Sequence, residues 1–313
     1  MWKRKYSLKQ QYGTLEHFLK GDEKCHYIGQ RYIEGTNIYA RREWRGVNDT
    51  AFAFSRWLIT WIKMGGLVMR DPVRMVKAFW KYRWLSAYLV SPSMIDKWIE
   101  GDRGMALRAD LTAIDCMISD SIETLWNELR ADRHFGETKW TDVTVAFDYT
   151  LPKHLIFGFP GCYAVNIQQH AAFMLPLMRK ELGCYYVDQA VSCGIPGDMC
   201  TLPLTEVGVA VEGEYPDIGN FWMTTNNPCD ANMMDNSAMY RALSNNGQKA
   251  VHPLTTPLMY DDPTTKELGV HEIESAIDFM EKQFGRKFDW DAFIRHCEAT
   301  NQVNREEMER WDI

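Results

Sequence analysis

The 313-residue sequence lacks a long apolar run. Its most apolar early stretch, Trp57–Met69, is interrupted by Lys63 and two glycines and is too short to span a bilayer. The first residues, MWKRKYSLKQQYGTLEHF, are basic but show neither the apolar segment nor the small-residue cleavage site of a secretory signal. We therefore expect no membrane span and a cytoplasmic location.

An excess of basic residues is also missing. The chain has 35 Lys and Arg against 42 Asp and Glu, a net charge of −7. This balance argues against a protein that binds nucleic-acid backbones, and the mild acidity favours solubility rather than a specific partner. Hydrophobic residues make up 46% of the chain and charged residues 25%, so the composition predicts a packed core of one large domain or two domains.

Cysteine is too sparse for a disulfide scaffold, because the chain has only eight. They stand at positions 25, 116, 162, 184, 193, 200, 229 and 297. No pair has the spacing of a CxxC zinc site, and no run matches a ferredoxin pattern. Five of the eight fall between residues 162 and 229, which makes this region a candidate for metal binding or redox chemistry.

Residues 1–140 are rich in Trp, Arg and Lys and predict helices. Trp57 and Trp61 are four residues apart, and Asp71-Pro72 is typical of a helix start. A second helix is predicted over 106–130. The Trp-rich face indicates either a surface that binds a membrane or a partner, or, as we favour, a face packed on this protein or on a sister subunit.

From Thr141 the pattern changes to short apolar segments separated by Gly and Pro. We expect strands at 142–147, 184–188, 221–225 and 249–254, helices at 171–182, 235–243 and 271–284, and either type at 207–211. This alternation predicts an α/β fold with a parallel, flavodoxin- or Rossmann-like sheet flanked by helices. The domains would be a helical N-terminal region, 1–140, and an α/β domain, 141–313.

Cys200 and Cys229 each lie in a loop with Gly or Pro nearby, and Cys229 directly follows the predicted strand FWMTT. Ligands of parallel sheets collect at the carboxyl ends of the strands. The two cysteines could therefore meet at one site, although two inert loop cysteines would show the same spacing.

Two segments of the sequence resemble a known family. They are GIPGDMC, ending at Cys200 and followed by Val207-Gly208 and Glu212-Gly-Glu214, and TTNNPCD, which contains Cys229. The helix His271–Phe284, followed by Gly-Arg-Lys and a further helix, completes the resemblance over about 150–305. The family is that of 2-hydroxyacyl-CoA dehydratases and benzoyl-CoA reductases.

The resemblance implies that Cys200 and Cys229 are thiolate ligands of a [4Fe–4S] cluster beside an acyl-CoA thioester. Members of the family use three cysteines and leave one iron open. The third cysteine lies in a later domain, so here it could come from another polypeptide, from Cys193 or Cys162, or be missing. Otherwise we expect Cys162, Cys184, Cys193 and Cys297 to be packed or structural thiols.

The resemblance also implies the reaction and the partners. An ATP-dependent iron–sulfur activator protein would supply one electron, and a ketyl-type radical of the substrate would allow water to leave or an aromatic ring to be reduced. A homologous subunit is expected to pair with this one. The alternatives are a non-catalytic structural subunit without a complete cluster site, and an α/β binding module or zinc protein.

General acids or bases are harder to identify. Glu181, His170 and Glu206 flank the cysteine region and could exchange protons with a substrate, but we expect each to be a surface side chain. The sequence names no catalytic residue.

Overall fold

A computed structural model describes residues 47–89, 119–140, 142–148, 151–227, 229–244, 250–255 and 262–311. Cys25, Cys116 and most of the helix predicted over 106–130 lie outside these residues. The helices are α1 Val47–Arg70, α2 Pro72–Lys81, α3 119–128, α4 His154–Phe157, α5 Leu175–Met178, α6 Lys180–Ser192, α7 Thr201–Val211, α8 Asp230–Ser244, α9 Pro263–Phe284 and α10 Trp290–Trp311. The strands are β1 Val143–Phe147, β2 Cys162–Val165, β3 Phe221–Thr225 and β4 Val251–Leu254.

The chain divides into two compact units. The helical unit contains the described residues up to Lys139 together with His170–Asp217, and the sheet unit contains Trp140–Gln169 and Ile218–Ile313. These units do not coincide with the predicted division at residue 140, because the segment that carries Cys200 groups with the N-terminal helices.

Among its described residues, the sheet unit has four parallel strands in the order β2-β1-β3-β4. This confirms the predicted α/β class with its parallel sheet, helical flanks and helical N-terminal region. The strands at 143–147, 221–225 and 251–254 were expected, whereas β2 was not. Phe159 stacks on Phe284 with ring centroids 4.3 Å apart and meets Phe288 at 5.4 Å, so the C-terminal helices pack on the core beside the sheet.

Sequence signals at the ends of helices are confirmed at two places. The Asp71 carboxylate accepts a hydrogen bond from the Arg74 amide and begins α2, with Pro72 in its first turn. Gly285 ends α9 with φ +66°, a left-handed conformation that favours glycine.

The prediction of a strand at 184–188 is wrong. These residues lie in the middle of α6, which begins after an extended break at Arg179 and continues to Ser192. The helix predicted over 171–182 is divided among a π-helical turn, Gln169–Met174, the short α5 and the first residues of α6. A Cβ at Gly183 would come 2.6 Å from the Pro176 side chain, so glycine is needed there for packing rather than for a helix end.

The helical unit has an aromatic core. Tyr82, Trp84 and Tyr88 are fully buried. This part of the Trp-rich region therefore packs on the rest of the protein, which is the interpretation that we favour for it. Trp80 behaves differently and is 86% exposed. Within the described residues, no helix is both long enough and apolar enough to cross a membrane.

Candidate functional site

The carboxyl ends of β1 and β3 form the expected ligand edge of the sheet unit. After β1 the chain passes to β2 on one side, and after β2 it crosses to β3 on the other side. In open parallel sheets, the crevice at such a reversal of strand order is where ligands bind. Asp148 follows β1 at this edge, and the loop that leads to Cys229 follows β3.

Asp148 joins the two strand ends. Its carboxylate accepts hydrogen bonds from the Thr225 amide at 3.1 Å and from the Trp222 indole at 3.3 Å, and its own amide donates to the Met223 carbonyl. The side chain is buried. The last residue of β3 is therefore held in place immediately before the cysteine loop begins.

The loop after β3 is tied down by its asparagines. The Asn227 amide donates to Thr225 Oγ1 at 3.2 Å, and the Asn232 side chain donates to the Asn227 carbonyl. The Asn236 side chain donates to the Thr225 carbonyl. These contacts give the loop a defined shape in front of α8.

Cys229 is exposed and stands at the start of α8. Its carbonyl accepts hydrogen bonds from the amides of Asn232 at 3.0 Å and Met233 at 3.4 Å, which makes it the first residue of the helical turn. Its side chain is accessible to solvent at the N-terminus of this helix.

Cys200 has the same local setting in the helical unit. It is exposed, it begins α7, and its thiol makes no capping hydrogen bond to the helix. The loop before it starts at Cys193 and Gly194, where φ is +99°. Both predicted ligands are thus exposed cysteines at helix N-termini.

The two thiols belong to different units, Cys200 to the helical unit and Cys229 to the sheet unit. The structure describes each unit by itself, so the approach of the two sulfurs to a common cluster stays a prediction. Within the described residues, no group of three or more Cys, His, Asp or Glu side chains is arranged to hold a metal ion.

Cys162 does not qualify as a third ligand beside Cys229. It begins β2 and pairs with Val143, whereas Phe221 pairs with Val145. The register places Cys162 six residues below Thr225 along the parallel strands, or roughly 20 Å at 3.3 Å per residue. Its thiol donates to the Ile156 carbonyl at 3.2 Å, and burial raises its pKa. It is a structural thiol at the opposite edge of the sheet.

Two acid–base candidates are not surface side chains as expected. Glu206 is fully buried and accepts a hydrogen bond from the Tyr215 hydroxyl at 2.6 Å. His170 is 4% exposed, and its Nε2 lies 3.5 Å from Glu128 Oε2 inside the helical unit. Glu181 is half-buried in the first turn of α6. Neither buried residue is available to a dissolved substrate.

A buried polar cluster holds the acidic segment after α7. Arg83 donates to Glu212 and Glu214, and its backbone amide also donates to Glu214 at 2.9 Å. The Tyr185 hydroxyl donates to Glu212 and the Tyr186 hydroxyl to Glu214, both at 2.6 Å. Burial of Arg83 alone would lower its pKa, but these carboxylates raise it above its ordinary value. The Glu-Gly-Glu motif therefore has a structural role.

Sequence reasoning missed Asp148 and Arg83. Asp148 directly follows the predicted strand VTVAF, so the rule that selected Cys229 would also have found it. Arg83 stands 129 and 131 residues away in sequence from its two carboxylate partners. No local pattern indicates such a contact.

These features define a class: an α/β protein with a parallel sheet, a cysteine loop at the ligand edge and a second exposed cysteine at the start of a helix. Residues 168–312 match the family model described as 2-hydroxyglutaryl-CoA dehydratase, D-component. The predicted resemblance to the 2-hydroxyacyl-CoA dehydratase family is confirmed over these residues, which make up slightly less than half of the chain. Comparisons with curated proteins and with solved structures found no match.

Proposed function

We propose that the protein is a subunit of a 2-hydroxyacyl-CoA dehydratase-type complex in which Cys200 and Cys229 bind a [4Fe–4S] cluster beside an acyl-CoA thioester. The family match carries this proposal, because it covers both cysteines. Dehydration is favoured over reduction of an aromatic acyl-CoA, since the matching family is described as a dehydratase component.

The donor chemistry of the two cysteines suits the cluster. Iron–sulfur clusters are held by cysteine thiolates, and both candidate cysteines are exposed at the start of a helix, where a cluster could reach them. When bound, the cluster would supply one-electron chemistry at low potential. The chain itself would hold the cysteine loop rigid through Asn232, Asn236 and Asp148 and keep the thiolate of Cys229 at the ligand edge.

Two ligands do not complete a three-cysteine site. Cys162 is excluded beside Cys229 by the register of the sheet. The remaining sources are Cys193, seven residues before Cys200, and another polypeptide. We propose that a homologous subunit pairs with this one and that an ATP-dependent iron–sulfur activator protein delivers the electron.

The test is anaerobic reconstitution of the full chain with iron and sulfide, followed by iron and sulfide assays and EPR spectroscopy. Wild-type protein should bind both elements and give a cluster signal after reduction. Cys200→Ser and Cys229→Ser should each lose most of the iron. Cys162→Ser is the matched control and should retain it, because that thiol lies at the opposite edge.

The rival function is a structural subunit without a cluster of its own. It would apply if no third cysteine completes the site, because two thiolates alone do not make a three-cysteine cluster site. Iron content that is equally low in wild type and in the Cys200→Ser/Cys229→Ser double variant would establish this rival and contradict our proposal.

A further inference from the structure

The helical unit carries a large exposed apolar face on α1 and α2. We call it the outer face; its members are Ile59, Ile62, Gly66, Met69, Val73, Val76 and Trp80. Met69 is 74% exposed and Trp80 is 86% exposed, whereas Met64 and Met75, on the inward side of the same helices, are 2% exposed. Apolar side chains clustered in this way on a folded surface mark an interaction site.

The spacing of the outer face indicates a helical partner. Within α1 its members are three, four and three residues apart, and within α2 they are three and four residues apart. Asp71, whose backbone is not helical (φ −151°, ψ 72°), separates the two helices. An alternation of three and four is the spacing of a and d positions in helices that pack side by side. The inward side of α1 and α2 already packs in the core, so the outer face is a second packing surface.

Two glycines in α1 support close packing by another backbone. Gly65 and Gly66 lie well inside a 24-residue helix, where glycine is unfavourable. A Cβ at either position would meet nothing within 4 Å, so internal packing does not require glycine. Neither backbone conformation requires it, since neither residue has a positive φ. Exposed glycines in an apolar face allow a partner helix to approach closely.

The charge beside the outer face is positive. The positions that border it on one side are Lys63, Arg70 and Lys77, all exposed. Between residues 55 and 81 the chain has six Lys and Arg and a single acid, Asp71. That acid is paired with Arg74 at 2.9 Å. Lys63 is paired with Glu123 of α3 at 2.8 Å. Arg70 and Lys77 therefore supply the positive charge of this border, in a chain of net charge −7.

We propose that the outer face binds an amphipathic helix of a partner polypeptide, with an apolar seam bordered by Asp and Glu. A second copy of this face is a poor occupant. Antiparallel pairing would set the cationic row against itself, and parallel pairing would set it against Leu58, Gly65 and Phe79, which carry no charge. A lipid surface would suit the cations, but it gives no reason for the glycines. The proposal rests on the helical unit and holds whether or not a cluster is bound.

The probe is a fluorescent synthetic helix of about three heptads, with Leu at the a and d positions and Glu at the flanking e and g positions. Titration with the full chain, followed by fluorescence anisotropy, should show binding that weakens at least about tenfold with a Lys-for-Glu peptide. Ile62→Asp and Gly66→Leu should each weaken binding of the Glu peptide by a similar factor. Val303→Asp, at an exposed position of α10, is the control and should bind like wild type.

Charge reversal makes the test specific. Arg70→Glu/Lys77→Glu should bind the Lys peptide better than the Glu peptide. Equal affinity of wild type for both peptides would overturn the proposal, as would binding that survives Ile62→Asp. Two other outcomes would also overturn it: a wild-type dimer in sedimentation that Ile62→Asp dissociates, and binding to phosphatidylcholine/phosphatidylglycerol vesicles that the same substitution abolishes.

Discussion

At the scale of single residues, Gly208 in α7 faces the backbone of α6. A Cβ built at Gly208 would lie 2.0 Å from the Tyr186 carbonyl oxygen. The obstacle is backbone rather than a flexible side chain, so the two helices can be this close only if the residue is glycine. This contact explains physically why residue 208 of the Val207-Gly208 motif, which belongs to the family resemblance, is glycine.

Gly208→Ala should lower the free energy of unfolding by about 1–3 kcal/mol, because the added methyl group forces α6 and α7 apart. Urea unfolding followed by circular dichroism measures the change. Gly65→Ala makes the same chemical change inside a helix with open space around it, and it should raise stability by up to about 1 kcal/mol. Equal effects of the two substitutions would show that the Gly208 contact is unimportant.

His252 in β4 gives a prediction for pH dependence. Burial lowers its pKa below the ordinary value of 6.5, although Glu272 opposes the shift. A histidine whose folded-state pKa is lowered contributes stability above its unfolded pKa and loses it as pH falls through the folded pKa. Stability should therefore decline as pH is lowered below about 6.5.

The matched variant is His252→Phe, which keeps a ring to stack on Phe279, 4.9 Å away in the wild type, but does not titrate. Unfolding free energies at pH 7.5 and 5.5 should differ less in this variant than in wild type. A residual decline is expected, because burial also lowers the pKa of His154. An unchanged pH dependence would contradict the assignment to His252.

At the scale of elements, the turn Arg83–Tyr88 is joined to the end of α7 by the Arg83 cluster. Arg83→Met would leave Glu212 and Glu214 without their cation, and the Glu214 side chain is only 5% exposed. Removing one partner of a buried pair costs about 3 kcal/mol or more. The loss should appear in urea unfolding of the full chain.

Lys63→Met is the control for this experiment. It removes an ion pair with Glu123 whose side chains are 48% and 34% exposed, and exposed pairs contribute at most about 1 kcal/mol. If both variants lost the same stability, the Arg83 cluster would be no stronger than a surface pair.

The local sequence of α6 favoured a strand because CYYVD combines aromatic and β-branched residues. The helix forms instead because its buried residues recur at helical spacing over a longer range: Leu182, Tyr185, Tyr186, Gln189 and Ala190. Packing of this face on α7 outweighs the preference of the five residues CYYVD for a strand, since β-propensity depends strongly on context. The helical period was present in the sequence, but only over a window longer than five residues.

At the scale of the whole molecule, a bound cluster should stabilise the folded chain. A ligand that binds only the native state adds about 2.7 kcal/mol when present at a hundred times its Kd. Anaerobic reconstitution with iron and sulfide should therefore raise the midpoint of thermal unfolding of wild type. Cys229→Ser should show no increase, and an equal shift in both proteins would contradict cluster binding at this cysteine.

The sequence by itself determined the fold class, three of the four strands found among the described residues, and both cysteine loops. Alternating apolar segments, Gly and Pro turns, and helix-capping residues such as Asp71 and Gly285 act over a few residues, so they can be recognised locally. Cys200 and Cys229 were selected by their motifs, and the structure shows that each is exposed at the start of a helix.

Tertiary structure decided what depends on contacts between distant residues. The strand β2 forms because its neighbour β1 pairs with it, and the register of that pairing places Cys162 at the wrong edge for a ligand. The burial of His170, the partners of Arg83 and the grouping of 170–217 with the N-terminal helices have the same origin. None of these features can be predicted from neighbouring residues in the sequence. Packing and hydrogen bonds between residues more than 40 positions apart depend on the tertiary path of the chain.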